Sequence, residues 1–231
     1  MSKVVQDYFP RSISQYVPNM EFAADVVQDN IIVSLGAPAT LDADGIWDGV
    51  SATNSATAFT SADYKSTFDG SSTSLTSTAG EIDSPYGRTL SCTGSAGSDH
   101  VCTISGRDYL GQAMKESITL SGTGVIAGLK AFKYVDSIAI ATGAASDTVD
   151  VGWADLLGIP YAGTSLLSDT ENGVVAAGAL TAAITTDPQT ATTGDPRGTF
   201  DAASASNGSI ISEIRYLCNT SDLHGVEHYS G

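Results

Sequence analysis

Met114-Lys115-Glu116-Ser117-Ile118-Thr119-Leu120 alternates strictly, with Met114, Glu116, Ile118 and Leu120 on one side and Lys115, Ser117 and Thr119 on the other. Period-two alternation is the mark of a strand that buries one face. Glu116 is the misfit on the apolar side. Before it in the chain, Arg88–Thr93 and His100–Ser105 read as strands either side of a Gly94–Asp99 turn, and residues 106–113 as a connection. Ser121–Gly124 is a turn, and Val125–Val135 and Ser137–Ile140 continue the β-pattern. Val149, Val151 and Trp153 share one face, with Trp153 placed to plug the edge of a core. Five or six strands joined by short turns predict an all-β fold. The expectation is an antiparallel β-sandwich or barrel-like module, with an extended N-terminal arm and long Ser/Thr/Gly-rich loops.

The chain of 231 residues has room for one large β domain or two small ones. Residues 1–30 read as an arm, with apolar spots at Val4-Val5, Tyr8-Phe9, Ile13, Tyr16-Val17 and Met20–Phe22, and with Pro10 and Pro18 favouring extended backbone. An N-terminal strand of the same domain is the alternative. Residues 31–231 form the β-rich domain, with a possible sub-boundary near 81 and a central module at 82–161. Val26-Val27 and Ile31–Leu35 are expected to pair across a Gln28-Asp29-Asn30 turn, and Gly36–Gly49 to be a loop. Residues 51–80, nearly all small and polar, read as a surface region, and 162–196 as loose. Gly173–Thr185 fits a strand pair better than a helix because Gly178 interrupts it. Asp195–Phe200 reads as a turn entering a strand, and Ile210, Ile214 and Tyr216 mark a last strand.

The formal charge is −16, from 26 acidic and only 10 basic residues. Binding a polyanion requires a basic footprint, so neither nucleic acid nor an anionic membrane is expected as a partner. Cys92, Cys102 and Cys218 form no Cys-x-x-Cys pair. They read as small buried thiols of a cytosolic protein, with a Cys92–Cys102 disulfide on adjacent strands as the alternative. The N-terminus has none of the features of a secretory signal, so synthesis in the cytosol is expected.

His224-Gly225-Val226-Glu227-His228 matches the His-x-x-Glu-His pattern of inverted zinc proteases. That chemistry requires a helix, and Gly225 sits inside it. Asp42-Ala43-Asp44-Gly45 resembles the start of a calcium loop but lacks its later positions, so it reads as an Asx turn. Gly122–Gly128 has the wrong glycine spacing for a dinucleotide loop. Asn207-Gly208-Ser209 and Asn219-Thr220-Ser221 read as turns. Trp47 and Trp153 offer a sugar platform in principle, with core filling the simpler use. No catalytic residue, metal or cofactor is expected, and the protein is not read as an enzyme.

Six segments carry a further likeness: Ser84–Arg88, Gly106–Met114 with Glu116, Gly128–Tyr134, Val151–Tyr161, Asp195–Phe200 and Leu223–Val226. Together they resemble structural proteins of tailed-bacteriophage virions, over about half the chain and without the first 80 residues. The resemblance implies a decoration or cement protein on the capsid surface. Its partner would be the major capsid protein, and it would be a homo-oligomer, a trimer being favoured. A neck or tail component and a carbohydrate-binding β-module are the alternatives. Under this reading the partner contacts are Tyr8, Phe9, Tyr16 and Phe22 of the arm, and an apolar patch of Trp153, Leu156, Leu157 and Tyr161.

Overall fold

The computed structural model describes residues 28–51, 57–58, 81–95, 100–141, 147–219 and 223–225. The arm up to residue 27, most of 51–80 and the tail after 225 lie outside the described residues. The chain is all-β and antiparallel, a sandwich-like module in which one sheet curls into a half barrel.

The strands among the described residues fall into three sheets. The first joins β1 (Gln28–Gly36), β14 (Ser212–Asn219), β10 (Gly163–Glu171) and β11 (Val174–Val175), in that order. The second runs β12 (Ala179–Thr181), β13 (Thr199–Asp201), β9 (Thr148–Gly158), β4 (Arg88–Gly94), β7 (Val125–Phe132), and β2 (Asp42–Ser51) also pairs with β9. The third joins β3 (Thr57–Ala58), β8 (Tyr134–Ala141), β5 (His100–Arg107) and β6 (Ala113–Leu120).

Two hydrophobic cores result. In one, Leu90, Cys92, Val149, Val151 and Trp153 of the second sheet meet Cys102, Ile104, Met114, Ile118, Ile138 and Ile140 of the third. In the other, Leu157, Ile159 and Phe200 meet Val33, Leu35, Ile214, Tyr216 and Cys218 of the first sheet. β9 serves both. It is long enough that its first half faces one core and its end the other, and period-two burial keeps Val149, Val151, Trp153 and Leu157 all inside.

β4 has an irregularity on each flank at the same level. On one side three residues of β7, Gly128–Lys130, oppose the single Leu90. On the other, Ala154–Leu156 of β9 oppose the single Thr89. Bulges of this kind free backbone N–H and C=O groups from the ladder, and those groups need other partners.

The alternation of β6 is as the sequence predicts, with Met114, Glu116, Ile118 and Leu120 buried. β4, β5, β9, β13 and β14 likewise cover the expected stretches. Other expectations are corrected. Gln28-Asp29-Asn30 is the start of β1, paired with Asn219, Cys218 and Leu217, and not a turn or part of an arm. The expected loop at 36–49 contains most of β2. Its apolar Ile46 and Trp47 are buried, and a Cβ on Gly45 would lie 2.2 Å from the Trp153 ring, so β2 lies flat against that indole. Residues 163–171, expected to be loose, form a nine-residue strand, β10. The 173–185 stretch does supply two short strands, yet β11 pairs with β10 and β12 with β13, not with each other.

Cys92 and Cys102 lie on facing sheets rather than adjacent strands. Both are buried thiols, and a hydrogen bond between them together with burial holds the Cys92 thiol well above its ordinary range. Trp153 is 2 % exposed and Leu157 fully buried, so neither is available to a partner surface. The indole N–H of Trp153 donates to Thr40 O at 2.9 Å. Only Leu156 and Tyr161 of that expected patch are partly exposed.

Candidate functional site

The quoted segments converge inside the molecule. Asp108 opens the β5–β6 connection. Its Oδ1 accepts the N–H groups of Leu110 and Gln112, each at 2.8 Å, and Gly111 with φ 85° lets that loop close. Its Oδ2 accepts from Arg197 Nη1. Asp195 accepts the Arg197 N–H on Oδ1 at 2.8 Å and the Ala131 N–H of β7 on Oδ2 at 2.9 Å. The Arg197 guanidinium lies 5.1 Å from the Tyr109 ring centroid, and Tyr109 meets Tyr86 edge-on at 5.2 Å. The Tyr109 hydroxyl donates to Pro160 O at 2.7 Å.

Glu116, the misfit of β6, reaches across to the β7 bulge. Its carboxylate accepts the freed N–H groups of Leu129 and Lys130. Gly128 makes the approach possible, because a Cβ there would lie 2.5 Å from Glu116 Oε2. Lys130 turns its buried ammonium to three carbonyls, Lys115 O at 2.8 Å, Pro188 O at 2.6 Å and Thr190 O at 2.7 Å. The same loop accepts Lys115 N–H on Pro188 O and Ser117 N–H on Ala191 O, so residues 188–191 cover the free edge of β6.

The other bulge is answered by a base. Arg88 donates from Nε to Ala154 O at 2.9 Å, from Nη1 to Ala39 O at 2.7 Å and from Nη2 to Asp155 Oδ1 at 3.0 Å. Freed N–H groups thus meet a carboxylate, and a freed carbonyl meets a guanidinium.

Burial governs the electrostatics. It pushes Glu116 up to about 7, against the pull of two backbone N–H groups and Lys130. It also raises Asp195, opposed by Arg197, and lowers Lys130 and Arg88, opposed by Glu116 and Asp155 respectively. Burial alone would lower Arg197, but Asp195 and Asp108 outweigh it and the group is raised. The Tyr109 phenol is raised, again mainly by burial.

All six carboxylate oxygens of Asp108, Glu116 and Asp195 already accept an N–H from this chain. The cluster is a set of internal clasps that fix loops to strand edges. Only two of its donors, Arg197 Nε and Nη2, have no hydrogen-bond acceptor among the described residues.

Elsewhere, Asp44 N–H donates to Asp42 Oδ1 at 3.3 Å, the Asx contact expected of that pair. Leu223–Gly225 form a turn with φ 85° at Gly225, which a helix does not allow, and Gly225 packs onto Pro196. His224 stacks near Tyr161, with ring centroids 5.7 Å apart. Glu227 and His228 lie outside the described residues. His100 is buried with Nε2 3.3 Å from Asp147 Oδ2. No group of three metal-ligating side chains occurs among the described residues. Trp47 and Trp153 are 7 % and 2 % exposed, so neither is a sugar platform. Tyr8, Phe9, Tyr16 and Phe22 lie outside the described residues.

The sequence marks Glu116 and the segments holding Asp108, Lys130, Asp195 and Arg197, but not their mutual contact. The signal was present: one acid on an apolar strand face requires a buried partner. Comparison of the chain with family models, with curated proteins and with solved structures found no match.

Proposed function

We propose that this protein is a structural component of a tailed-bacteriophage virion, a decoration or cement protein that binds the outside of the capsid and bridges major capsid subunits. The observation that carries the reading is the use the chain makes of its quoted segments. Their charged side chains are spent on holding backbone: Asp108 and Asp195 close their own loops, Glu116 and Arg88 complete the two bulges, and Lys130 fastens a loop to a strand edge. A likeness carried by such residues is a likeness of scaffold, and it supports a building role over a chemical one. The strong acidity suits a protein present at high copy number.

The arm residues Tyr8, Phe9, Tyr16 and Phe22 remain the candidate partner contacts, with the half-buried Leu156 and Tyr161 of the module. Many weak contacts per particle add through avidity. Quantitative mass spectrometry of purified particles tests the reading. A ratio to the major capsid protein between one to one and one to a few is expected. A ratio of a few per cent would move the protein to the neck or tail, and absence from the particle would overturn the virion reading.

A further inference from the structure

The two most exposed large apolar side chains among the described residues are neighbours, Val174 at 70 % and Val175 at 81 %. They form β11, the outer strand of the first sheet, at the end of a tight hairpin. Asn172 and Gly173, with φ of 50° and 79°, make the two-residue turn, so the hairpin is rigid and its register fixed. The Ala176 N–H donates to Asp169 O and the Gly178 N–H to Asp169 Oδ2, both back toward β10. By alternation, the N–H and C=O of Val175 and Ala177 point away from the sheet. Residues 172–186 hold no charged side chain at all. Proteins ordinarily guard such an edge with lysine, proline or a covering loop. Among the described residues none of these guards stands at β11, although 188–191 cover β6 in just that way.

We propose that β11 is the docking edge for the N-terminal segment of a second copy of this chain, residues 11–17, which adds to it as an antiparallel strand. Pro10 and Pro18 bound that segment, and neither can donate to a ladder, so they set its ends. Charge favours it. Residues 1–20 hold Lys3 and Arg11 against Asp7, a net +1 within the chain's −16, which leaves the other 211 residues at −17. Exposed Glu213 of β14 stands level with Val175 across β10, on the same sheet as the edge. Edge-to-edge contact between two β11 strands would instead bring two strongly acidic bodies together.

Length favours a neighbour's segment over the chain's own. Val175 stands level with Thr170, Glu213 and Ser34, six residues along the sheet from Gln28. An antiparallel strand added there ends at the hairpin tip, roughly 30 Å from Gln28 across four strand spacings. The eleven Cα steps from residue 17 to Gln28 reach at most about 36–40 Å when fully extended. The chain's own segment would have to run mostly extended across four strands, while a neighbour's has no such limit. Repeated from copy to copy this is a head-to-tail contact, which closes into a small ring when the rotation allows. The inference does not rest on the virion reading and stands or falls separately from the stoichiometry above.

The test uses full chains in solution, with mass measured by light scattering. Val175→Pro removes one outward N–H without touching the bonds to β10, and a form lacking residues 1–17 removes the inserted segment. Wild type is expected to be oligomeric and each variant monomeric. An equimolar mixture is expected to give a one-to-one heterodimer, because one partner keeps the edge and the other keeps the segment. Val175→Lys repeats the edge block with a different chemistry, and hydrogen exchange in β10 and β14 checks that each variant is folded. A monomeric wild type, association of the truncated form by itself, or a mixture that stays monomeric would each overturn the proposal.

Discussion

A carboxylate that accepts two N–H groups from a neighbouring strand stands where another strand's carbonyls would be, and Glu116 does this for the β7 bulge. Its raised pKa gives the arrangement a pH signature. The group titrates near 4.5 when unfolded and about 7 when folded. Between those values the native state holds more of the proton, so stability is fully present below pH 4.5 and falls as pH rises toward 7, by about 3 kcal/mol for this group. Asp195, also raised, adds in the same sense. Denaturant titrations from pH 4.5 to 7.5 should show this decline in wild type and a shallower one in Glu116→Gln. Equal slopes would mean that Glu116 does not carry it. Arg197 gives a larger effect. Replacing it with Met leaves Asp108 and Asp195 buried without their cation, and a loss of about 3–5 kcal/mol is expected in the same titrations. The pattern of β6 made Glu116 conspicuous in the sequence. Nothing local could reveal that Asp195, 79 residues later, would cap the same strand.

At the scale of elements, strands with one buried face were legible and those without were not. β4, β5, β6, β9 and β14 alternate or are continuously apolar. β10 lacks that pattern: bulges in its pairing with β14 break the alternation, and only Gly163 and Asp169 of its nine residues are buried. β2 was hidden by aspartates and glycines that serve its crossing over Trp153. Lys130 ties an element to a loop, and its removal should act locally. In Lys130→Met the three carbonyls lose their cation, so the amides of Lys115 and Ser117, which bond to the 188–191 loop, should exchange faster. Exchange in β5, whose partners are β6 and β8, should change far less. Uniform acceleration throughout would mean that Lys130 supports the whole core rather than the loop. Gly128→Ala strikes the same region from the other side, since its Cβ would enter the Glu116 carboxylate. It is expected to lower stability by about 1–3 kcal/mol in thermal melts.

For the whole molecule, two cores sharing β9 should melt together. Val151→Ala opens the core with the third sheet and Leu157→Ala the core with the first, and each is expected to cost about 2–4 kcal/mol. If β9 couples them, both variants shift one transition that fluorescence and circular dichroism report alike. Two separated transitions in either variant would show that the cores are independent. The all-β class was readable from pattern and composition. The division into three sheets was not, because period two fixes which face is buried but not which sheet buries it.

β1 and β14 are hydrogen-bonded neighbours, and Arg215 of one reaches Asn30 of the other across 185 residues of chain. A ribosome delivers β1 long before it delivers β14. Through most of synthesis the inner face of β1, with Val33 and Leu35, has no sheet to join, and β10 waits for the same missing strand. The first sheet therefore closes only when the far end of the chain has emerged. Until then its apolar strands are exposed to one another and to other nascent copies. A cell making this protein in quantity would need either fast release from the ribosome or a chaperone to hold those early strands apart.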